Sequence, residues 1–117
     1  MQLLPEVLAV QEQTEHSLVL QLQVQADLHY FPNHFAGFPL LPGVVQLNWV
    51  MHYAREHLPV TGEFQALENI KFQSIVQPGQ RMQLHLQWRA ATQRLEFEFS
   101  HGEQKFSSGR IVLMEAP

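Results

Sequence analysis

The stretch from Phe31 to His52, FPNHFAGFPLLPGVVQLNWVMH, gathers the residues of this chain whose types and spacing suit chemistry. His34 stands in a proline-studded loop among Phe31, Phe35 and Phe38, and nine residues later Pro42-Gly43 opens an apolar helix. Flanking aromatic rings desolvate an imidazole, which disfavours its charged form and keeps a neutral base available near pH 7. Pro42 has no N–H and a preset φ, so it suits a helix start, while Gly43 lets a ligand come close to the backbone. The unpaired N–H at that start, with the positive end of the helix dipole, is a natural receiver for a carbonyl oxygen. A base and a backbone donor together suggest chemistry on a carbonyl compound. Each has an ordinary alternative: a loop histidine in a chain of seven is usually solvated or capping, and Pro-Gly is also a plain helix-entry turn.

The elements that must position these groups can be read from periodicity. Leu3 to Gln13, broken by Pro5, reads as a short or edge strand beginning near Glu6. Ser17 to Gln25 alternates, with Leu18, Leu20, Leu22 and Val24 on one side and glutamines on the other, as a half-buried antiparallel strand does. The helix is expected from about Gly43 to His57, stopped before Pro59. Val44, Leu47, Met51, Ala54 and Leu58 form an apolar seam, widened by Val45, Trp49, Val50 and Tyr53 until little of the circumference is polar. Phe64 to Val76, Arg81 to Arg89, Arg94 to Ser100 and Lys105 to Met114 read as four further strands. They are punctuated by Pro78-Gly79, Ala91 to Gln93 and His101-Gly102. An apolar helix with antiparallel strands before and after it is best buried by curling the sheet around it, an α+β solution known as the hot-dog fold.

Composition narrows the function. At 117 residues with no low-complexity run, the chain reads as one domain, residues 1–117, short enough that association with a second subunit would help cover apolar surface. A net charge of −4 with seven Lys plus Arg argues against a nucleic-acid footprint. Without cysteine there are no disulfides or thiolate metal sites. No stretch approaches the roughly 20 apolar residues of a membrane span, so a cytoplasmic protein with no membrane partner is expected. His29, five residues before His34, lacks a carboxylate companion other than Asp27, so no metal site is expected. His16, His57, His85 and His101 fall at strand ends, turns or wet faces, and Asp27 reads as a strand-end turn residue.

FPNHFAGFPLLPGVVQ, residues 31–46, resembles the loop-helix signature of the 3-hydroxyacyl-acyl-carrier-protein dehydratases, roughly F-x-G-H-F-x-x-x-P-x-x-P-G-V. ENIKFQSIVQPGQRMQL resembles the same family's strand-turn-strand, and LLPGVVQLNWVMHYA is most similar to the small dehydratase-like proteins of aryl-polyene gene clusters. The resemblance covers about residues 15 to 114. It implies that His34 abstracts the α-proton of an acyl thioester and that the Leu40 backbone carbonyl orients its ring. It also implies that the Gly43 N–H stabilises the enolate. Asn33 stands where the family has glycine and tolerates the positive φ that glycine permits. An acyl tunnel would be lined by Phe31, Phe35, Phe38, Leu40, Leu47 and Trp49.

The departure is Asn48. Fourteen residues after the histidine, the family has a glutamate or aspartate that handles the leaving hydroxyl; one turn later it commonly has glutamine, and here stands His52. Asn48 and His52 share a helix face by their i,i+4 spacing. They are expected as a polar stripe toward the His34 tunnel, with His52 assisting, although Asn48 also reads as a core amide bonded to backbone. The resemblance implies no resident cofactor and a substrate carried on the phosphopantetheine of an acyl carrier protein. Arg81, Arg89, Arg94, Lys105 and Arg110 are the strand residues expected to meet that acidic carrier. A homodimer through the edge strand Phe64 to Val76 is expected, or a heterodimer with a paralogous dehydratase that retains its carboxylate. The competing readings are an acyl-thioesterase and a non-catalytic acyl-binding subunit supporting a catalytic partner.

Overall fold

Alternation in the sequence becomes a sheet with one buried face. The computed structural model describes residues 3–28 and 41–115. The elements run β1 (Glu6–Gln13), β2 (Ser17–Gln23), α1 (Gly43–His57), β3 (Glu63–Phe72), β4 (Arg81–Arg89), β5 (Arg94–His101) and β6 (Gln104–Met114). The strands pair antiparallel throughout, in the order β1-β2-β4-β5-β6-β3. Register carries the core across the sheet: Leu20 pairs with Leu84 and Leu84 with Phe99, while Leu18 pairs with Leu86 and Leu86 with Phe97. Helix α1 lies on that apolar face, burying Val45, Trp49, Val50, Tyr53 and Ala54. This is the hot-dog fold expected from the sequence.

The helix has the expected bounds, and the Leu58 N–H closes it on the Ala54 carbonyl at 2.8 Å. Its buried face is rotated from the expected seam. Val44 is 64% exposed and Leu47 and Met51 are only half-buried, whereas Val45, Gln46, Trp49 and Val50 are buried. One sheet curls around one side of a helix, so the other side, carrying Val44, Asn48, His52 and Arg55, stays open.

Strand β3 is the edge, and two irregularities shape it. Phe64 pairs with Leu113, Ala66 with Val112 and Leu67 with Ile111, so Gln65 is an extra residue on β3. A second shift separates Glu68, opposite Arg110, from Lys71, opposite Ser108; Asn69 there adopts a positive φ of 52°. Each bulge resets the alternation. Phe64, Leu67 and Phe72 thereby sit opposite Leu113, Ile111 and Ser107, all buried residues of β6. Gly109 makes room for the second bulge, since a Cβ there would collide with Ile70 Cδ1 and stand 3.1 Å from Ile70 Cα. A backbone atom cannot step aside as a side-chain tip can. Gly109→Ala is expected to cost about 1–3 kcal/mol, read as a lower urea midpoint at unchanged slope; an unshifted midpoint would show that the bulge does not need the glycine.

The strand expected to continue to Val76 ends at Phe72. The Gln73 and Ser74 N–H groups both turn to the Phe106 carbonyl, at 2.8 and 3.3 Å, and the Val76 carbonyl accepts from the Leu41 N–H at 2.9 Å. The segment leaving β3 thus becomes the wall of the helix entrance. Pro78-Gly79 forms the expected turn, with Gly79 at φ 85°. No helix among the described residues is long and apolar enough to cross a membrane.

Candidate functional site

Gly43 is the first residue of α1, after Pro42 in extended conformation. The first N–H groups of a helix have no intrahelical acceptor. The Val45 and Gln46 N–H groups turn back to the Pro42 carbonyl at 3.1 and 3.4 Å, and Gly43 lines a cleft of about 320 Å³ with Leu41, Gln46, Phe72, Ser74 and Val76, among others. The Phe72 ring crosses closest to Gly43, and a Cβ on Gly43 would lie 2.6 Å from its Cζ. A Cβ at Gly43 would meet the far end of the Phe72 side chain, so glycine spares that ring a displacement. Phe72 itself is 51% exposed, so its ring is free to swing from a guest in the cleft.

Asn48 lies elsewhere. It is exposed and lines a groove of about 290 Å³ with Val44, Leu47, Met51, Phe64, Leu67 and Ile111. Its reading as a core amide is corrected: Asn48 is the polar member of an apolar groove on the open side of the helix, while the His34 side of the expected stripe lies outside the described residues. His52 is exposed too, with Nε2 3.3 Å from Glu56 Oε2 and its ring edge-on to Tyr53. Tyr53 is pushed up to about 12, first by burial and then by Glu56, so its phenol keeps its proton. Leu47 lines the Asn48 groove as half-buried wall. Trp49, expected along the tunnel, is instead core, 1% exposed with its indole N–H donating to the Leu3 carbonyl at 3.0 Å. His34, Phe31, Phe35, Phe38 and Leu40, with His29, lie outside the described residues.

The basic residues expected to meet a carrier are mostly occupied. Arg94 donates twice to Glu68, at 3.0 and 3.1 Å, and Arg110 once, at 3.1 Å. The Arg94 hydrogen bond holds the Glu68 carboxyl below the usual carboxylate range against the cost of desolvation, with Arg110 adding to it. Arg89 pairs with Glu96 at 2.8 Å and Lys105 with Glu98 at 3.5 Å. Arg81 bonds the neutral Gln23 amide, and Lys71 on β3, which the sequence reading passed over, is exposed. The field offered to an acidic partner is weaker than a count of cations implies.

Sequence reasoning also missed Gln46. It is 3% exposed and its Oε1 accepts from the buried Ser107 hydroxyl at 2.7 Å. The signal was present, because its i+3, i+4 and i+7 neighbours are Trp49, Val50 and Tyr53, which marks the innermost face.

A six-stranded antiparallel sheet curled over one side of a single helix defines a hot-dog protein. A family model described as "ApeI-like: ApeI dehydratase" matches residues 10–110, and the chain belongs to that family. Among solved structures it is similar to the dehydratase heterocomplex ApeI:P from Xenorhabdus doucetiae, at 35% identity and a TM-score of 0.89, covering 96% of this chain and 99% of that one. It is also similar to an uncharacterized protein from Erwinia carotovora subsp. atroseptica, at 44% identity and a TM-score of 0.82, covering 96% and 97%. Two relatives are 3-hydroxyacyl-[acyl-carrier-protein] dehydratases FabZ. That from Novosphingobium aromaticivorans is 31% identical over 62% of this chain, and that from Legionella pneumophila subsp. pneumophila 30% identical over 74%. The matches span only 51% and 63% of those relatives' lengths.

Proposed function

We propose that the chain is a 3-hydroxyacyl-[acyl-carrier-protein] dehydratase-like lyase, converting a 3-hydroxyacyl thioester to the trans-2-enoyl thioester and water in fatty-acid or aryl-polyene synthesis. The observation that carries this reading is the open Gly43 helix start under Phe72, in a chain of a dehydratase family. His34 takes a proton from C2, and the electron pair moves toward the thioester carbonyl oxygen, held by the Gly43 N–H. The pair then forms the C2–C3 double bond as the C3–O bond breaks. The leaving hydroxyl needs a proton, and an amide has none to give near pH 7, so Asn48, reaching the site from the other copy of a dimer, positions and does not protonate. His34 returns the proton it took, with His52 assisting.

Asn48 also favours a second reading, in which this chain is a partner-dependent or acyl-binding subunit and the acid comes from a paralogous copy. The Xenorhabdus relative's being a heterocomplex supports a paired arrangement. Mass spectrometry of a 3-hydroxyacyl carrier protein incubated with the chain distinguishes the readings. Loss of water is expected; hydrolysis would make it a thioesterase, and neither product would leave the non-catalytic reading.

A further inference from the structure

The row of side chains that crosses the sheet beneath the helix entrance is apolar except at one place. Val10 pairs with Leu20, Leu20 with Leu84, Leu84 with Phe99, Phe99 with Ser107 and Ser107 with Phe72. Ser107 is fully buried and meets Gln46, the single polar residue on the buried face of α1. Two polar groups buried where neighbours are Leu, Phe and Val must satisfy each other or something else. One hydrogen bond satisfies only part of them, because a carboxamide has two donors besides its oxygen. Since the Ser107 hydroxyl occupies Oε1, the atom Gln46 has left for the cleft is its amide nitrogen.

Gln46 lines the same cleft as Gly43, three residues along the helix and so about 4.5 Å deeper. Asn48 lines the other groove. Resting on the dehydratase reading, we propose that Gln46 is a substrate-positioning residue whose amide N–H, oriented by Ser107, hydrogen-bonds an oxygen on C3 of the acyl chain while Gly43 holds the thioester carbonyl. The occupant of the cleft is thus a 3-oxygenated acyl chain, in preference to a saturated one of equal length.

Binding, not turnover, tests this, so that a failure of the dehydration chemistry does not decide it. Two stable probes are titrated calorimetrically: the pantetheine amide of a medium-length 3-hydroxyacyl chain and the same amide lacking the hydroxyl. The native chain is expected to hold the hydroxylated probe about tenfold more tightly. Gln46→Leu should erase that preference while keeping affinity for the plain probe, and Ser107→Ala, which frees the amide to turn, should erase part of it. Gln46→Met repeats the test with a more adaptable side chain, and melting curves of each variant establish that it is folded. Equal binding of the two probes by the native chain, binding of neither, or a preference that survives both Gln46 substitutions would overturn the proposal.

Discussion

Leu67→Glu on β3 is expected to leave the chain folded and to break the homodimer proposed through that edge. β3 ends the sheet, so one side of its backbone has no strand partner among the described residues. Along it Phe64, Leu67 and Phe72 are 57%, 41% and 51% exposed, Ile75 just beyond its end is 48% exposed, and this row continues into Val44 on the open side of the helix. Exposed edges of this kind pair with another chain unless blunted. β1, the other edge, is irregular at two places as well, but its Val7, Leu8 and Val10 do not join an open helix face. A two-fold axis perpendicular to β3 would pair the two edges antiparallel, bury each side chain in both copies and bring the Asn48 grooves of two copies side by side. Burying a leucine or phenylalanine contributes about 1.5–3 kcal/mol, and a buried glutamate adds a desolvation penalty, so the dissociation constant should rise about 100-fold or more. Light scattering at micromolar concentration reads this directly, as a mass falling from twice 13.6 kDa to that value. A native chain already monomeric would remove the premise.

Those same residues show what was legible in the sequence. The strands of the sheet interior were, because Leu18, Leu20 and Leu22, or Met82, Leu84, Leu86 and Trp88, keep a two-residue period without interruption. The helix bounds were, because Pro42-Gly43 and Pro59 are stereochemical stops. The end of β3 was not: Gln73 and Ser74 look like strand, and only the Phe106 carbonyl, more than thirty positions away, decides that they leave it. The orientation of α1 was also hidden. Two apolar faces compete in its sequence, Val44, Leu47 and Met51 against Val45, Trp49, Val50 and Tyr53, and Val44 and Leu47 fell on the open side while Gln46 went in. The motif marked Gly43 for the approach of a ligand, and the atoms nearest to it in the fold belong to Phe72, which no local pattern connects to it. For Asn48 the motif supplied a position and not a neighbourhood; its groove is made with Phe64 and Leu67, which reach it through a bulge.

That groove is where the largest change in rate is expected. Dehydration needs a base at C2 and an acid at the C3 hydroxyl, and on the proposed reading the base is His34 and the acid position is filled by the Asn48 amide. Removing a positioned general base or acid typically costs 10²–10⁴ in rate, so His34→Ala should lower dehydration of a 3-hydroxyacyl carrier protein by about that factor. Asn48→Asp and Asn48→Glu should do the reverse. Asn48 is exposed and no described residue accepts or donates a hydrogen bond to it, so substitution there should leave stability within about 0.5 kcal/mol. Val44, Leu47, Met51, Phe64 and Leu67 around it are apolar, which would raise a carboxyl's pKa once the groove is covered and keep a proton on it to donate. A gain of tenfold or more in Asn48→Asp, abolished when His34→Ala is added, is the expected result. Such a double variant ties the two positions to one reaction, whichever copy in a dimer supplies each. If neither Asn48 substitution raises the rate and His34→Ala leaves it intact, the dehydratase reading falls. A gain only when the native chain is mixed with a carboxylate-bearing paralogue would assign the acid to that partner.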